Sequence, residues 1–270
     1  DMSKSLLERS LASVTDNNSI VIGVLNSLSW ERDGLVYLTP EQSRNFNSVA
    51  DENGNNVLSQ RLSTGELVFL SGKIPPFGSN KYFLKEKKNK ASDAIANGNT
   101  LDNGIIRVVV DPLTGDISSL KADNYEFVNS EATTFLNSYR YLHGEDSPEK
   151  ASGTKNPKIT LMENGPLLAT LLITSEAEGC RSLSREITVI SGQAHLEIKN
   201  TMDKLAILEK EGIHFGFGFN IPSPVTKFDI PWGIVELEKD QLAAGNRNWI
   251  AFQRWLDISN NQRGITFCSL

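Results

Sequence analysis

The stretch LDNGIIRVVVDPLTGDISSL (Leu101–Leu120) carries the plainest structural statement in the chain. IIRVVV is rich in β-branched residues, which fit a pleated, half-buried surface. Asp111-Pro112 opens a turn, because proline presets φ at the second turn position. Gly115 can supply the left-handed residue that closes it. DISSL then returns as a second strand, so the stretch predicts an antiparallel hairpin. Downstream, longer strands fit 158–163, 166–176, 181–190 and 194–201, alternating apolar with polar residues. The run HFGFGFN (214–220) alternates strictly: Phe215, Phe217 and Phe219 share one side, His214, Gly216, Gly218 and Asn220 the other. Further strands fit 232–238, 248–257 and 264–269. Together they predict a large antiparallel sandwich, with Trp232, Trp249 and Trp255 as candidates for its aromatic core. No repeat period occurs, which argues against a propeller or solenoid.

Upstream, VLNSLSWERDGLVYL (Val24–Leu38) reads as strand, turn and strand. Asn26, Ser27 and Ser29 interrupt the apolar run, and Asp33-Gly34 is the turn dipeptide that reverses it. Short strands fit 20–28, 34–38, 57–62, 66–70 and 81–86, separated by turn clusters such as Asn53-Gly54-Asn55 and Pro75-Pro76-Phe77-Gly78. That spacing predicts a small sandwich over 17–90. Residues 85–100 are polar, basic at the front and rich in small residues, and read as a connection. The domain junction is expected between Lys87 and Thr100, ahead of a large unit over 98–270. Residues 1–14 carry a helical stripe of Leu6, Leu7, Leu11 and Val14, ended by Asp16-Asn17-Asn18. A helix that short is marginal alone. It reads as the tail of a longer helix, or as one that docks on the sheets. The chain ends at Leu270 directly after GITFCSL, which reads as a cut through a longer protein.

Composition narrows the function. The chain has 270 residues, a formal net charge of −6 and a pI near 5.2. An acidic balance argues against a nucleic-acid partner, which needs a basic face to displace phosphate counterions. No apolar run approaches the ~20 residues that span a bilayer, so no membrane partner is expected. The two cysteines, Cys180 and Cys268, lack CxxC spacing and read as isolated thiols. The three histidines are far apart, so no zinc site is expected within the chain. No Ser-His-Asp order or phosphate-binding glycine loop occurs.

Among single residues, His143 has Glu145 and Asp146 beside it and is either a metal- or sugar-contacting loop residue or part of a plain polar loop. His195 shares a strand face with Glu197 and Lys199 and is expected in solvent. His214 shares its face with two glycines, which mark close approach of a ligand or of a neighbouring segment. Tyr139, Tyr141 and His143 alternate, so all three are expected on one face. They form either an aromatic platform for a sugar or a ladder in the core.

Four stretches carry a family resemblance: VLNSLSWERDG (24–34), LDNGIIRVVVDPLTGDISSL (101–120), FDIPWGIVE (228–236) and QRWLDISNNQRGIT (253–266). In order and spacing they resemble the C-terminal region of glycoside hydrolase family 38, the α-mannosidases. The resemblance implies an all-β chain: a small Ig-like sandwich, then a large supersandwich of the galactose-mutarotase type, preceded by a short N-terminal helix (1–16) that ends a helical bundle. It implies a parent enzyme that is a retaining, zinc-dependent α-mannosidase hydrolysing α-mannosidic bonds. Nucleophile, acid and zinc would lie on an upstream catalytic domain, the partner on which this region packs. No catalytic or metal-binding residue carries over. NSYRYLH (137–143) sits where the family contributes a tyrosine to the active-site rim, which makes Tyr139 a substrate-rim candidate, with Tyr141 and His143 beside it. The resemblance implies an exposed or half-exposed Tyr139. The alternative is a free-standing carbohydrate-binding or mutarotase-like β module.

Overall fold

The computed structural model describes residues 20–86, 95–129, 131 and 134–269. The helix expected over 1–14 lies outside the described residues. Among these, the sole helical piece is the three-residue turn Pro148–Lys150, and everything regular besides is antiparallel strand. The all-β reading holds.

The first unit is two small sheets face to face. One orders the strands Val21–Leu25, Ser79–Lys85, Ser48–Ala50 and Asn56–Val57, and the other Leu35–Leu38, Leu67–Leu70 and Ser59–Arg61. Leu38, Val49, Leu67, Phe69, Tyr82 and Leu84 fill the space between them. Strands this short leave many backbone groups outside the ladders, and buried side chains satisfy them. Asn26 is the clearest case. Its Nδ2 donates to the carbonyls of Trp30 (2.7 Å), Pro75 (3.0 Å) and Ile74 (3.2 Å), and its Oδ1 accepts from Leu28 N–H. The SLSWER segment is thereby folded back on the Ile74–Pro75 loop, with Trp30 left outside.

The second unit is larger. A seven-stranded sheet runs Glu211–Phe217, Leu136–His143, Ile117–Ala122, Ile106–Val110, Thr100–Asp102, Ala96–Asn97, with Tyr125–Glu126 paired to Ile117–Ala122. A four-stranded meander, Lys155–Asn164, Leu168–Glu176, Cys180–Ile190 and Leu196–Lys204, lies against it. Their shared core holds Leu101, Val108, Val110, Ile117, Leu136, Leu171, Ile173, Ile187 and Val189. A further four-stranded sheet orders Gly233–Glu236, Val225–Ile230, Trp255–Ser259 and Gly264–Cys268. Phe267 of its edge strand reaches Phe217 edge-on at 5.0 Å. Five strands have no counterpart in the sequence reading: Ser48–Ala50, Ala96–Asn97, Thr100–Asp102, Tyr125–Glu126 and Val225–Ile230. The first four are only two or three residues long, Ala96–Asn97 lies in the stretch read as a connection, and the last is bounded by prolines.

Trp232, Trp249 and Trp255 do not form the core. Trp232 is fully exposed, Trp249 largely so, and Trp255 half-buried. Trp232 sits at the tip of the hairpin joining Val225–Ile230 to Gly233–Glu236 with φ of 69°, so its ring projects beyond both strands. The sandwich is filled instead by aliphatic side chains.

The two units meet through Val68 of the first and Leu167, Leu168 and Ile190 of the second. Gln60 locks the contact: its Oε1 accepts from Leu167 N–H (3.1 Å) and Leu168 N–H (2.9 Å). Gly165 is required there, since a Cβ on it would lie 2.2 Å from Gln60 Cδ.

The turn of the Asp111–Asp116 hairpin sets the geometry of the large sandwich. Gly115 takes φ of 72° and donates to Asp111 O (2.7 Å), while Asp111 Oδ1 accepts from Leu113 N–H. Behind the turn sits Arg185, fully buried on the facing sheet. Its Nη1 meets Asp116 Oδ1 at 2.6 Å, and its Nη2 donates to Thr114 O at 2.8 Å. Ser138 donates to the other oxygen of Asp116. Burial pushes the Asp116 carboxyl up, against the pull of Ser138 and Arg185. Removing one member of such a pair strands a buried charge. Arg185→Ala or Asp116→Ala should therefore cost about 3–5 kcal/mol, read by urea denaturation. The double replacement Asp116→Leu/Arg185→Met should recover most of that loss. Simple addition of the two single losses would show that the groups act independently.

Candidate functional site

Tyr139, Tyr141 and His143 share the strand Leu136–His143, and one residue decides where they point. Leu136 pairs with Phe217, but Ser138 pairs with Gly216 and Tyr139 with Phe215. Asn137 is the extra residue, at φ of 58°. A bulge of this kind reverses the in-out phase of everything beyond it. Strict alternation from Leu136 would send Tyr139 and Tyr141 away from the core. The bulge turns them inward, beside Phe215 and Leu183. Asn137 is held in place by a reciprocal pair of amide hydrogen bonds with Asn200 (2.9 and 2.7 Å).

Tyr139 is therefore buried, not exposed. Its ring meets Phe215 edge-on at 5.8 Å. Its hydroxyl donates to Glu178 O at 2.5 Å and touches Cys180 Sγ at 3.4 Å. Burial, with the Cys180 contact second, pushes that hydroxyl up. Tyr141 is equally buried, under the turn at Gly179, where a Cβ would lie 2.4 Å from the ring. Its hydroxyl donates to Glu211 Oε2 (2.7 Å), and this bond to a carboxylate, ahead of burial, pushes it up to about 12.

His143, at the end of the strand, is the one of the three that meets solvent. Its side chain is 64% exposed and its Nε2 lies 2.6 Å from Glu178 Oε1. Ser152 Oγ donates to Glu178 Oε2 at 2.6 Å. Glu178 is thus the hub of an exposed polar cluster, and Glu211, paired with Lys204 Nζ at 2.5 Å, lies behind Tyr141. Ser152 and His143 bond the same carboxylate, so the imidazole is not placed to take the serine proton as a nucleophilic triad requires. Ser152 and then His143 hold the Glu178 carboxyl below its ordinary value, and Lys204 and then Tyr141 do the same for Glu211. A glycosidase acid needs a raised value. Two carboxylates held ionised do not supply one.

The other histidines stand apart. His195 is half-exposed and pairs with Glu197 at 3.4 Å. His214 lies beside Trp249, ring centres 6.2 Å apart. Gly216, on the same face, packs against Thr134, where a Cβ would meet Cγ2 at 3.1 Å. Cys180 is half-buried and Cys268 exposed, both as free thiols. Among the described residues no group of three His, Cys, Asp or Glu side chains is placed to hold a metal ion. An open depression of about 470 Å³ lies on the last sheet, between Lys227, Ile234, Trp255, Asp257, Thr266 and Cys268. It shares no residue with the Glu178 cluster.

Two measurements test this geometry. Tyr139→Phe removes the hydroxyl donor from the Glu178 carbonyl and should cost about 0.5–1.5 kcal/mol of stability, read as a lower urea midpoint with unchanged slope. An unchanged midpoint would place the Tyr139 hydroxyl in solvent. Glu178 should titrate below 4.5 by carboxyl NMR. Because its folded value is depressed, its contribution to stability is present above that figure and is lost as pH falls through the lower one. Ser152→Ala should move the titration back up, and a titration that stays put would remove Ser152 from the cluster.

Comparison with known proteins places the chain. The profile of the glycosyl hydrolases family 38 C-terminal domain matches residues 101–269. No curated protein sequence matches it. Among solved structures, an alpha-mannosidase from Enterococcus faecalis V583 superposes with a TM-score of 0.67 at 14% identity, covering 96% of this chain and 39% of that one. A glycosyl hydrolase family 38 protein from Enterococcus faecalis superposes at 0.62, also at 14% identity, covering 94% and 38%. At that identity the likeness is one of fold, and this chain spans about two fifths of the length of either structure. With the family profile running over most of its length, the chain belongs to glycosyl hydrolase family 38.

Proposed function

We propose that this chain is the non-catalytic C-terminal β region of a retaining, zinc-dependent α-mannosidase, and that it packs on an upstream catalytic domain and completes the rim of its active site. The observation that carries the reading is the family profile over 101–269, with the fold likeness extending across the first unit as well. Zinc does not fit the residues described: the three histidines are apart, His143 and His195 each beside one carboxylate, and no ligand group assembles around any of them. No step of the reaction is therefore assigned to this chain. Its contribution to the rim falls to His143, held against Glu178. Tyr139 and Tyr141 serve behind it as positioning residues, one on the carbonyl of Glu178 and the other on Glu211. An α-mannoside would meet the imidazole edge and the ionised carboxylate, not a tyrosine face.

The isolated chain should not cleave an aryl α-mannoside, and should hold no stoichiometric zinc by elemental analysis. The full-length protein should do both. In it, His143→Ala should lower kcat/KM with the zinc content unchanged. Hydrolysis by the isolated chain, or a His143→Ala enzyme with undiminished kcat/KM, would overturn the reading. The open aromatic surfaces of Trp232 and Trp249 favour a second one, a carbohydrate-binding module. Calorimetry of the isolated chain with mannose and manno-oligosaccharides separates the two: measurable binding favours the module, and none favours the scaffold.

A further inference from the structure

Asparagine followed by glycine is chemically unstable. The glycine amide nitrogen, unhindered by a side chain, attacks the asparagine Cγ. The new C–N bond closes a succinimide ring and ammonia leaves. Water then opens the ring at one of its two carbonyls, giving aspartate or isoaspartate. The chain contains four such pairs, Asn53-Gly54, Asn97-Gly98, Asn103-Gly104 and Asn164-Gly165. The sequence alone does not rank them, but the fold does.

Three are held. Asn103 makes four hydrogen bonds: Nδ2 donates to Ile190 O (2.6 Å) and Gln193 O (2.8 Å), and Oδ1 accepts from Ile105 and Ile106 N–H (3.0 and 2.9 Å). Asn164 is bonded at both ends of its amide, to Ala96 N–H (3.1 Å) and Ala96 O (3.3 Å). At Asn53 the attacking nitrogen is the one engaged, since Gly54 N–H donates to Asp51 O at 3.0 Å. The related Asp33-Gly34 is held in the same way, by Gly34 N–H to Ser71 Oγ.

Asn97 differs on every count. It and Gly98 are exposed, and neither the Asn97 amide nor the Gly98 N–H has a partner among the described residues. Gly98 takes φ of 61° with open space around its Cα. The hairpin it closes pairs Ala96 with Leu101 and Asn97 with Thr100, and is tied further by Asp102 N–H to Ile95 O (2.7 Å) and by Asn99, bonded both ways to Val110. None of these bonds engages the Asn97 side chain or the Gly98 nitrogen, so Cγ reaches the nitrogen without first breaking one.

We propose that Asn97 is a self-modification site, deamidating through a succinimide ahead of the other three Asn-Gly pairs. The isoaspartate product inserts a methylene into the main chain between the Asn97 Cα and the Gly98 nitrogen, one residue after Ala96. Ala96 is buried and clamped by both bonds of Asn164. The modification therefore loosens the edge strand of the large sheet where it follows the first unit.

Peptide mapping by mass spectrometry after incubation in mildly alkaline buffer tests this. Trypsin releases residues 91–107 as one peptide holding both Asn97 and Asn103, so fragment ions compare the two sites internally. Each hydrogen bond that must break first should slow the reaction roughly two- to ten-fold. In the folded protein, Asn97 should convert first and Asn103 last. In urea the four sites should converge, because the protection is structural. Asn97→Gln should remove the early isoaspartate of this peptide, detected with protein isoaspartyl methyltransferase, and leave only the slow conversion at Asn103, without altering the unfolding midpoint. Faster conversion at Asn53 or Asn103 in the folded protein, or a ranking that persists unchanged in urea, would overturn the proposal.

Discussion

The large sandwich is organised around one buried cation. Arg185 lies in the middle of its sheet and points into the space where the two sheets face each other. Four contacts from three segments meet its two Nη atoms, from Asp116 and Thr114 of the hairpin, Asn137 of the bulge and Ser175 of the adjacent strand, while the buried Nε has no partner among the described residues. This fixes register across the sandwich in a way that aliphatic packing does not, because oily side chains slide and a forked donor does not. The hairpin turn must present its carbonyl and its carboxylate at one place. That is why Gly115 lies so close to Arg185 that a Cβ would fall 2.4 Å from Nη2. Burying this pair has a desolvation penalty that hydrophobic replacement would avoid. What it supplies is a single geometry for the turn, the bulge and the strand that continues to His143.

The bulge at Asn137 then explains the burial of the tyrosines. Alternation along a strand is a reliable guide only while the partner strand keeps pace. From the sequence, Tyr139, Tyr141 and His143 share a face, and they do: Tyr141 and His143 rings meet edge-on at 4.9 Å. Which face cannot be read from NSYRYLH alone, because the phase is set by a left-handed asparagine whose amide is paired with Asn200, sixty-three positions away in sequence. Of the two alternatives the sequence left open, a sugar platform or a core ladder, the bulge selects the ladder for both tyrosines and leaves the histidine outside.

Legibility follows the range of the interactions. The Asp111–Asp116 turn was readable because its proline, aspartate and glycine act within five residues, and Gly115 has the backbone conformation that its position requires. The long strands were readable because one face of each is buried against the same core. In RSLSREITVI, the alternation of Leu183, Ile187 and Val189 even places Arg185 on the inner face, a signal that a buried ion pair was needed. The tryptophans misled for the opposite reason. Their size favours burial on average, but Trp232 occupies a hairpin tip whose location depends on the pairing of Val225–Ile230, a strand flanked by prolines that looks like a loop in isolation.

The polar side chains also account for how the small sandwich of short strands and the large one hold a fixed relation. Asn26 closes one loop, Gln60 receives the N–H groups of Leu167 and Leu168 across the contact between units, and Asp229 Oδ1 collects the N–H groups of Gln253, Arg254 and Trp255 where the next strand begins. Each amide or carboxylate group does what a ladder partner would do, Asn26 as donor and Gln60 and Asp229 as acceptors, at a place where no ladder runs. An apolar contact such as Val68 with Leu167 holds the units together with little demand on orientation, whereas Gln60 demands one orientation, and the missing side chain of Gly165 makes room for it. A region built in this way can hold the small His143–Glu178 edge at a defined position relative to whatever it packs on. At that edge the groups are paired with one another: Ser152 and His143 bond Glu178, and Lys204 and Tyr141 bond Glu211.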